Sequence, residues 1–348
     1  MIPLSHFRDS FDKNAADAEP SFSDSFGRVA KKLRISVTDR CNLRCVYCMP
    51  ADNTKWFDRS EILTFEEIER IARIFVRLGV QEIRITGGEP LVRSNIEDLI
   101  TKLSRIDGLK SIGLTTNGIL LSEKSSLLKK AGLSSVNISL DTFKPETFKT
   151  MNGADAIDKV LDSVNAASRV GLKVKINTVI MKGLNDDEIL DFANFARNTG
   201  KIVRFIEFMP LDGSGIWSKE LVVTKKEILD TINNNLMKLV PLSHDNSEPA
   251  MLYSFQDGNG VIGFIPSITE PFCQKCDRVR ITSDGRFLTC LFENPGYDLK
   301  KLLRTGKSDE QITNHLFEAM KKKPEGIIKI IKTNQLKPTL NLMHTIGG

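Results

Sequence analysis

Tryptophan, tyrosine and histidine are scarce in this chain of 348 residues, which has two tryptophans, three tyrosines and four histidines. No apolar run approaches the roughly 20 residues that a membrane-spanning helix needs, so we expect no membrane association. Neither charge dominates, since 49 basic residues face 44 acidic ones, and the net charge of +5 does not by itself indicate nucleic-acid binding. An anionic small molecule would suit this charge equally well.

A secretory signal is also missing from the first residues, where charged side chains from His6 onward interrupt any apolar run. We therefore expect the protein in the cytoplasm. Residues 1–25 mix Ser, Asp, Asn, Pro and Phe without a period, which predicts a flexible leader. The lysines at 321–323 are interpreted as the solvated end of a helix.

Hydrophobic periodicity predicts six strands that alternate with helices. The strands are predicted at residues 33–37, 82–86, 110–116, 135–140, 173–181 and 202–208. A capping box from Thr64 to Glu67 starts the first helix, and further helices are predicted at 95–106, 123–131, 157–170 and 186–198. Strict alternation indicates a parallel sheet, either open or closed as a barrel, with functional groups at the carboxyl ends of the strands.

The alternation stops near residue 210, where glycines and hairpin-like pieces begin. The sequence therefore predicts three segments: the leader at 1–25, an α/β unit at 26–210, and a smaller region at 211–348 that ends in Gly347-Gly348.

The six cysteines form two groups of three with none left over. The groups are Cys41, Cys45 and Cys48, and Cys273, Cys276 and Cys290. In a large chain without an export signal, thiols bind metal or do chemistry more often than they form disulfides.

The first group places three thiolates within eight residues of a strand-to-helix loop. Three thiolates can ligate three irons of a cubane cluster and leave the fourth iron open for a ligand. Zinc, a redox-active thiol pair and plain buried cysteines are the alternatives. The second group repeats the arrangement, and none of the four histidines has a ligand spacing relative to it, so an open cluster is favoured over a zinc knuckle.

Several motifs together resemble a known family. The Cys-x3-Cys-x-Tyr-Cys run from Cys41 to Cys48 and the Gly87-Gly88-Glu-Pro run resemble the radical S-adenosylmethionine (SAM) superfamily. The segments Arg84-Ile-Thr, Leu-Thr115-Thr-Asn-Gly, Phe272-Cys-Gln-Lys-Cys-Asp-Arg278-Val-Arg280 and the final Gly-Gly narrow the resemblance to the GTP 3′,8-cyclase family of molybdenum cofactor biosynthesis. This resemblance covers residues 26–348. It implies an incomplete (β/α)6 TIM-type barrel with a smaller C-terminal region that carries a second cluster.

By this resemblance the chain binds two [4Fe–4S] clusters and SAM. The open iron of the first cluster would hold the amino and carboxylate groups of SAM, and one electron would split SAM to give a 5′-deoxyadenosyl radical. The implied SAM contacts are Tyr47, Gly88, Ser139 and Met209. A Gly-Gly step lacks Cβ atoms, which would let a ligand approach the backbone closely.

The implied substrate is GTP, whose triphosphate needs fixed cations. The residues that would bind it are Arg34, Arg84, Thr115, Lys175, Arg278 and Arg280. Cations on barrel strands should point inward, where burial of their charge without a neighbouring anion would cost free energy. The free iron of the second cluster would hold the guanine base.

The implied lyase reaction converts GTP to (8S)-3′,8-cyclo-7,8-dihydroguanosine 5′-triphosphate, beginning with removal of the 3′ hydrogen. No catalytic residue is assigned beyond the cluster and substrate ligands. The resemblance also implies a one-electron donor such as ferredoxin or flavodoxin, hand-over to cyclic pyranopterin monophosphate synthase, and a monomer or homodimer. The alternatives are a radical SAM peptide maturase with an auxiliary cluster, which typically has seven such cysteines, and a non-enzymatic metal-stabilised binding module.

Overall fold

The fold is taken from a computed structural model that describes residues 21–49, 56–211, 215–243, 248–293, 295–327, 329 and 343–347. The strands are β1 (Lys32–Ser36), β2 (Glu82–Thr86), β3 (Ser111–Thr116), β4 (Ser135–Ser139), β5 (Lys173–Ile180), β6 (Ile202–Glu207), β7 (Leu239–Pro241), β8 (Met251–Phe255), β9 (Val261–Ile265), β10 (Arg278–Ile281), β11 (Arg286–Leu288) and β12 (Tyr297–Asp298). The helices are α1 (Phe65–Arg77), α2 (Ile96–Ser104), α3 (Leu121–Ala131), α4 (Pro145–Asn152), α5 (Ile157–Arg169), α6 (Ile189–Thr199), α7 (Lys225–Asn235), α8 (Leu299–Arg304), α9 (Asp309–Lys321) and α10 (Met343–Ile346).

One 12-stranded sheet runs in the order β12-β11-β10-β1-β2-β3-β4-β5-β6-β9-β8-β7. The strands from β10 to β9 are parallel, and the outer strands on each side are antiparallel. β1 to β6 follow one another as parallel neighbours with helices between them, which confirms the predicted incomplete (β/α)6 barrel. Across the described ranges β9 and β10 do not pair with each other, so the barrel stays open there.

The C-terminal region is joined more closely to the barrel than the sequence predicts. β10 pairs with β1, and β9 pairs with β6. Each edge of the six-stranded sheet would otherwise expose unpaired backbone groups, and these strands cover both edges. The division at residue 210 therefore stays a prediction about the chain, while the sheet runs through both parts.

β5 shows how the barrel strands position the site. Val174, Ile176 and Ile180 are buried on one face of this strand, as its alternating pattern requires. Asn177 and Val179 lie on the opposite face and line a cavity inside the barrel. The same alternation on neighbouring strands brings polar side chains into this cavity.

The ordered core begins inside the predicted leader. Phe22 is 1% exposed, and its ring lies 5.7 Å from that of Phe75 and 5.4 Å from that of Phe317. Arg28 forms a buried ion pair with Asp24 at 2.6 Å. The predicted boundary at residue 25 is therefore too late, because Phe22 supplies an apolar anchor; residues 1–20 lie outside the described part of the chain.

The prediction of a solvated lysine run is wrong for one of its three residues. Lys321 and Lys322 are exposed, but Lys323 is 3% exposed beneath the second cysteine group. Among the described helices, none is long and apolar enough to cross a membrane.

Candidate active site

The first cysteine loop leaves the carboxyl end of β1 and lies against the end of α4. Arg44 donates its backbone N–H to the carbonyl of Asn152 at 2.9 Å, and Val46 donates to the carbonyl of Met151 at 2.9 Å. These two bonds fix the backbone on both sides of Cys45. The thiols of Cys41, Cys45 and Cys48 are free.

Backbone and side-chain amides donate to two sulfur atoms of this loop, those of Cys41 and Cys45. The side-chain N–H of Asn152 donates to Cys45 Sγ at 3.1 Å. The side-chain oxygen of the same residue is buried without a hydrogen-bond partner among the described residues. Burial raises the pKa of Cys41 to about 11, that of Cys48 to about 12, and that of Cys45 well above its usual value. Metal ligation is the usual way in which such thiols become thiolates.

The Gly87-Gly88 step lets two loops pack together. A Cβ at Gly88 would lie 2.4 Å from the carbonyl oxygen of Arg40 and 2.5 Å from that of Asp39. Gly88 also donates its backbone N–H to the carbonyl of Thr38 at 2.8 Å. Close packing against the cysteine loop is therefore one reason for a glycine here, and the contact of Gly88 with SAM stays a prediction.

Glu89 connects the loop that follows β3 to the Gly87-Gly88 loop that follows β2. Sequence reasoning missed this role. Its carboxylate accepts from the Thr116 hydroxyl at 2.7 Å and from the backbone N–H of Asn117 at 2.7 Å. Burial raises the pKa of Glu89 to about 7 despite these bonds. The acidic residue within the Gly-Gly-Glu-Pro run was the available signal.

A cavity of about 250 Å³ opens at the carboxyl ends of the strands. Of the predicted SAM contacts, Tyr47, Ser139 and Met209 line it, whereas Gly88 does not. The Tyr47 hydroxyl donates to Asp141 at 2.6 Å, which fixes the tyrosine ring from beneath. Asp141 thus acts on the position of Tyr47 and lines the same cavity.

The same cavity reaches the second cysteine group. All three of its cysteines line the wall, together with Arg34, Thr115, Arg278 and Arg280 from the predicted GTP-binding set. Convergence of the strand ends on one rim is therefore observed for these residues. A small molecule in this cavity would therefore lie between the predicted SAM contacts and the second cysteine group.

The second cysteine group lies at a short 3-10 turn, Cys273–Lys275, and after β11. Burial raises the pKa of Cys290 to about 11 and also raises that of Cys273. Burial acts in the same direction on Cys276, but the charges of Arg278 and Lys323 outweigh it and lower the pKa of that thiol. The two cysteine groups therefore differ in electrostatic surroundings.

Both groups have the open, three-thiol composition that a cubane with a free iron needs. Within the described residues, no three His, Cys, Asp or Glu side chains are arranged to hold a single metal ion. A cubane asks for a wider arrangement, since each thiolate binds a different iron. The three free thiols of each group supply the donor atoms for such a cluster, and those of the second group line the cavity wall.

Arginines form a row across the inner surface of the barrel. Arg34 on β1 is in register with Arg280 on β10 and with Arg84 on β2. Burial lowers the pKa of Arg34 well below its usual value, and repulsion from Arg280 and other nearby arginines lowers it further. Burial likewise lowers the pKa of Arg280 to about 10. An anion is the natural complement of this row.

Two predicted GTP-binding cations lie off the main cavity. Arg84 forms an ion pair with Glu82 at 3.0 Å, and Lys175 lines a separate cavity of about 150 Å³ with Glu248. Arg204 lines both cavities. Sequence reasoning missed Arg204, although it alternates with apolar residues on β6 exactly as Arg34 does on β1.

The end of the described chain reaches the arginine row. Arg280 donates to the carbonyl oxygen of Gly347 at 2.5 Å. Gly347 has φ of +74°, and a Cβ there would lie 1.8 Å from the Thr86 hydroxyl oxygen. Only glycine fits this position. Gly348 lies outside the described residues.

Family comparisons agree with this geometry. The Radical SAM superfamily model matches residues 35–196, and the Molybdenum Cofactor Synthesis C model matches residues 201–328. The GTP 3′,8-cyclase of Thermodesulfovibrio yellowstonii is 43% identical over 327 residues, which is 93% of this chain and 99% of the relative. The chain belongs to the GTP 3′,8-cyclase family. It is therefore a radical SAM enzyme, and the family's cofactors are two iron–sulfur clusters and SAM.

Further relatives extend the family to animals. The human protein named Molybdenum cofactor biosynthesis protein 1 is 40% identical over 335 residues, covering 96% of this chain and 52% of its own length. Among solved structures, Streptococcus suis SuiB bound to precursor peptide SuiA has a TM-score of 0.60 at 18% identity, over 85% of this chain and 68% of that one. Methylornithine synthase has a TM-score of 0.51 at 17% identity, over 82% and 86%. These two structural similarities show that the chain shares the fold of those proteins.

Proposed function

We propose that this enzyme converts GTP to (8S)-3′,8-cyclo-7,8-dihydroguanosine 5′-triphosphate in the first step of molybdenum cofactor biosynthesis. The observation that carries the proposal is the single cavity lined by the second cysteine group, Tyr47 and the buried arginines. The family membership supports the same reaction, since the relative from Thermodesulfovibrio yellowstonii is named for it.

Cys41, Cys45 and Cys48 would hold the cluster that supplies the electron for cleavage of SAM to the 5′-deoxyadenosyl radical. Tyr47, Ser139 and Met209 would orient SAM from the cavity wall. Gly88 would act indirectly, by letting the Gly-Gly loop support the cysteine loop.

The other end of the cavity would fix GTP. Cys273, Cys276 and Cys290 would hold the second cluster at the guanine end, and Arg34, Arg278 and Arg280 would bind the triphosphate, with Thr115 beside them. Arg204 joins this set by its position. Lys175 would act from the neighbouring cavity, and Arg84 would act through its place in the arginine row. Holding both ends of GTP would present one ribose hydrogen to the radical and exclude water.

The test is anaerobic reconstitution followed by incubation with SAM, GTP and dithionite. We expect about eight irons per chain, as two clusters require, together with GTP-dependent 5′-deoxyadenosine and a cyclised nucleotide detected by mass spectrometry. Cys45→Ala should abolish SAM cleavage. If the reconstituted wild type cleaves SAM but leaves GTP unchanged, the proposed substrate is wrong.

The same proposal covers the physiological setting. The electron donor would be a ferredoxin or flavodoxin, and the product would pass to cyclic pyranopterin monophosphate synthase, from a monomer or homodimer. A cytoplasmic location suits the six free thiols, which need a reducing compartment.

A further inference from the structure

A buried lysine lies behind the second cysteine group. The ammonium of Lys323 donates to the carbonyl oxygens of Cys276 at 3.3 Å and Arg278 at 3.1 Å. Its residue is 3% exposed, whereas the adjacent Lys321 and Lys322 are exposed. Tertiary structure, and not the local run of lysines, therefore turns this one side chain inward.

Lys323 has no carboxylate partner in the described part of the chain, where its hydrogen bonds go to two carbonyl groups. Glu293 is near enough for the charge of Lys323 to act on it, but its carboxylate accepts from the backbone and hydroxyl of Thr289 at 2.5 and 2.7 Å. A buried ammonium without a close anion is costly. Its position next to Cys273, Cys276 and Cys290 indicates that its charge balances the anionic group that these cysteines bind.

Two other cations also lie next to this group. Arg28 donates to the carbonyl oxygen of Cys273 at 2.8 Å, but its charge is balanced by Asp24, with which it is paired at 2.6 Å. Arg278 donates to Cys276 Sγ at 3.8 Å, but it also stacks on Phe272 at 4.5 Å and lines the cavity on the substrate side. Lys323 is not part of the cavity wall, so its charge acts on the cysteine group rather than on GTP.

A three-thiolate cubane carries net negative charge, and reduction adds one more negative charge. A fixed cation next to it stabilises the reduced form more than the oxidised form, which raises the reduction potential. The first cysteine group has no such buried lysine among the described residues. Asn152 and carboxylates lie near it, and Arg44, which donates to the carbonyl of Cys41 at 3.1 Å, is exposed to solvent that screens its charge.

We propose that Lys323 is a fixed counter-charge of the second cluster, behind its ligands and away from the substrate, and that it makes this cluster easier to reduce. The proposal rests on the proposed function in one respect, the assignment of a cluster to Cys273, Cys276 and Cys290. Lys323 is a positioning and tuning residue, since it touches the ligand backbone and not the substrate.

The test is an EPR-monitored redox titration of the reconstituted full chain, comparing wild type with Lys323→Met, Lys323→Arg and the exposed control Lys322→Met. We expect Lys323→Met to weaken one-electron reduction of the second cluster at least tenfold, about 59 mV, with the first cluster unchanged. Lys323→Arg and Lys322→Met should stay near the wild-type potential.

The outcomes separate the two proposals. If wild type holds a single cluster of about four irons, the ligand assignment fails. If both clusters assemble but Lys323→Met leaves the second potential unchanged, the counter-charge proposal is overturned while the proposed function stands. If Lys323→Met loses the second cluster, the proposal survives only when Lys323→Arg retains it near the wild-type potential, and it is overturned when arginine loses it too.

Discussion

Replacing Gly88 by alanine tests whether the Gly-Gly step supports the cysteine loop or receives a ligand. The new Cβ would lie 2.4 Å from the carbonyl oxygen of Arg40, about 1 Å inside the 3.4 Å at which ordinary contact begins. The obstacle is backbone, so no side-chain rotation relieves it. The two loops must move apart.

Separation of the loops would also break two hydrogen bonds of 2.8 Å. Gly88 N–H donates to the carbonyl of Thr38, and Glu89 N–H donates to the carbonyl of Arg40. Overpacking costs about 1–3 kcal/mol and each lost hydrogen bond about 1 kcal/mol, so we expect Gly88→Ala to destabilise the cluster-free protein by about 3–5 kcal/mol. The displaced loop should also fail to hold the first cluster.

Urea unfolding of the cluster-free protein and iron analysis after reconstitution measure both effects. Gly113→Ala is the matched control, because its Cβ would meet the guanidinium of Arg84 at 2.7 Å, the movable end of a flexible side chain. The reasoning is refuted if Gly88→Ala keeps wild-type stability and iron content and only weakens SAM binding. That result would restore the ligand-approach interpretation.

Three further changes test other parts of the structure. Cys290→Ala should keep SAM binding, measured by equilibrium dialysis, but lose GTP turnover; persistent turnover would make the second cluster structural. Phe22→Ala should lower the free energy of unfolding, measured in urea, by about 3–5 kcal/mol. Phe26→Ala, at a side chain that is 53% exposed, should lower it by less than about 1 kcal/mol, and equal losses would contradict the burial of Phe22 in the core. Arg34→Met should raise the melting temperature of the ligand-free protein while raising the KM for GTP at least tenfold; a lower melting temperature would contradict the repulsion inferred among the arginines.

The barrel strands were predictable because each alternates apolar residues inside a window bounded by polar loops. β5 shows this well, since residues 173–181 were predicted and Lys173–Ile180 are observed. The two cysteine groups, and the cavity lined by Tyr47 of the first loop and by the cysteines of the second group, also followed from local spacing and from the rule that strand ends meet at one rim. Local pattern was sufficient for these features.

Contacts between distant segments were not predictable in the same way. Nothing near β10 indicates that Arg280 will lie in register with Arg34, because strand pairing is decided by the whole sheet. Lys323 is a sharper case, since it is chemically identical to its exposed neighbour Lys322. Its burial depends on the cysteine group that folds over it, which no local pattern of lysines encodes. Arg204 differs from both, because its signal was present in the sequence and was missed.

The arginine row explains why the site should favour a polyanion over a neutral ligand. Arg34 is repelled by Arg280 and by other arginines around it, so the described part of the ligand-free barrel holds positive charge that the pairing of Arg84 with Glu82 neutralises only in part. An entering triphosphate removes that repulsion and gains direct contacts, and both contributions favour binding. The ligand-free protein is destabilised by the same charges, as functional sites commonly are. Stability of the free protein and affinity for GTP should therefore change in opposite directions when a single arginine of the row is neutralised.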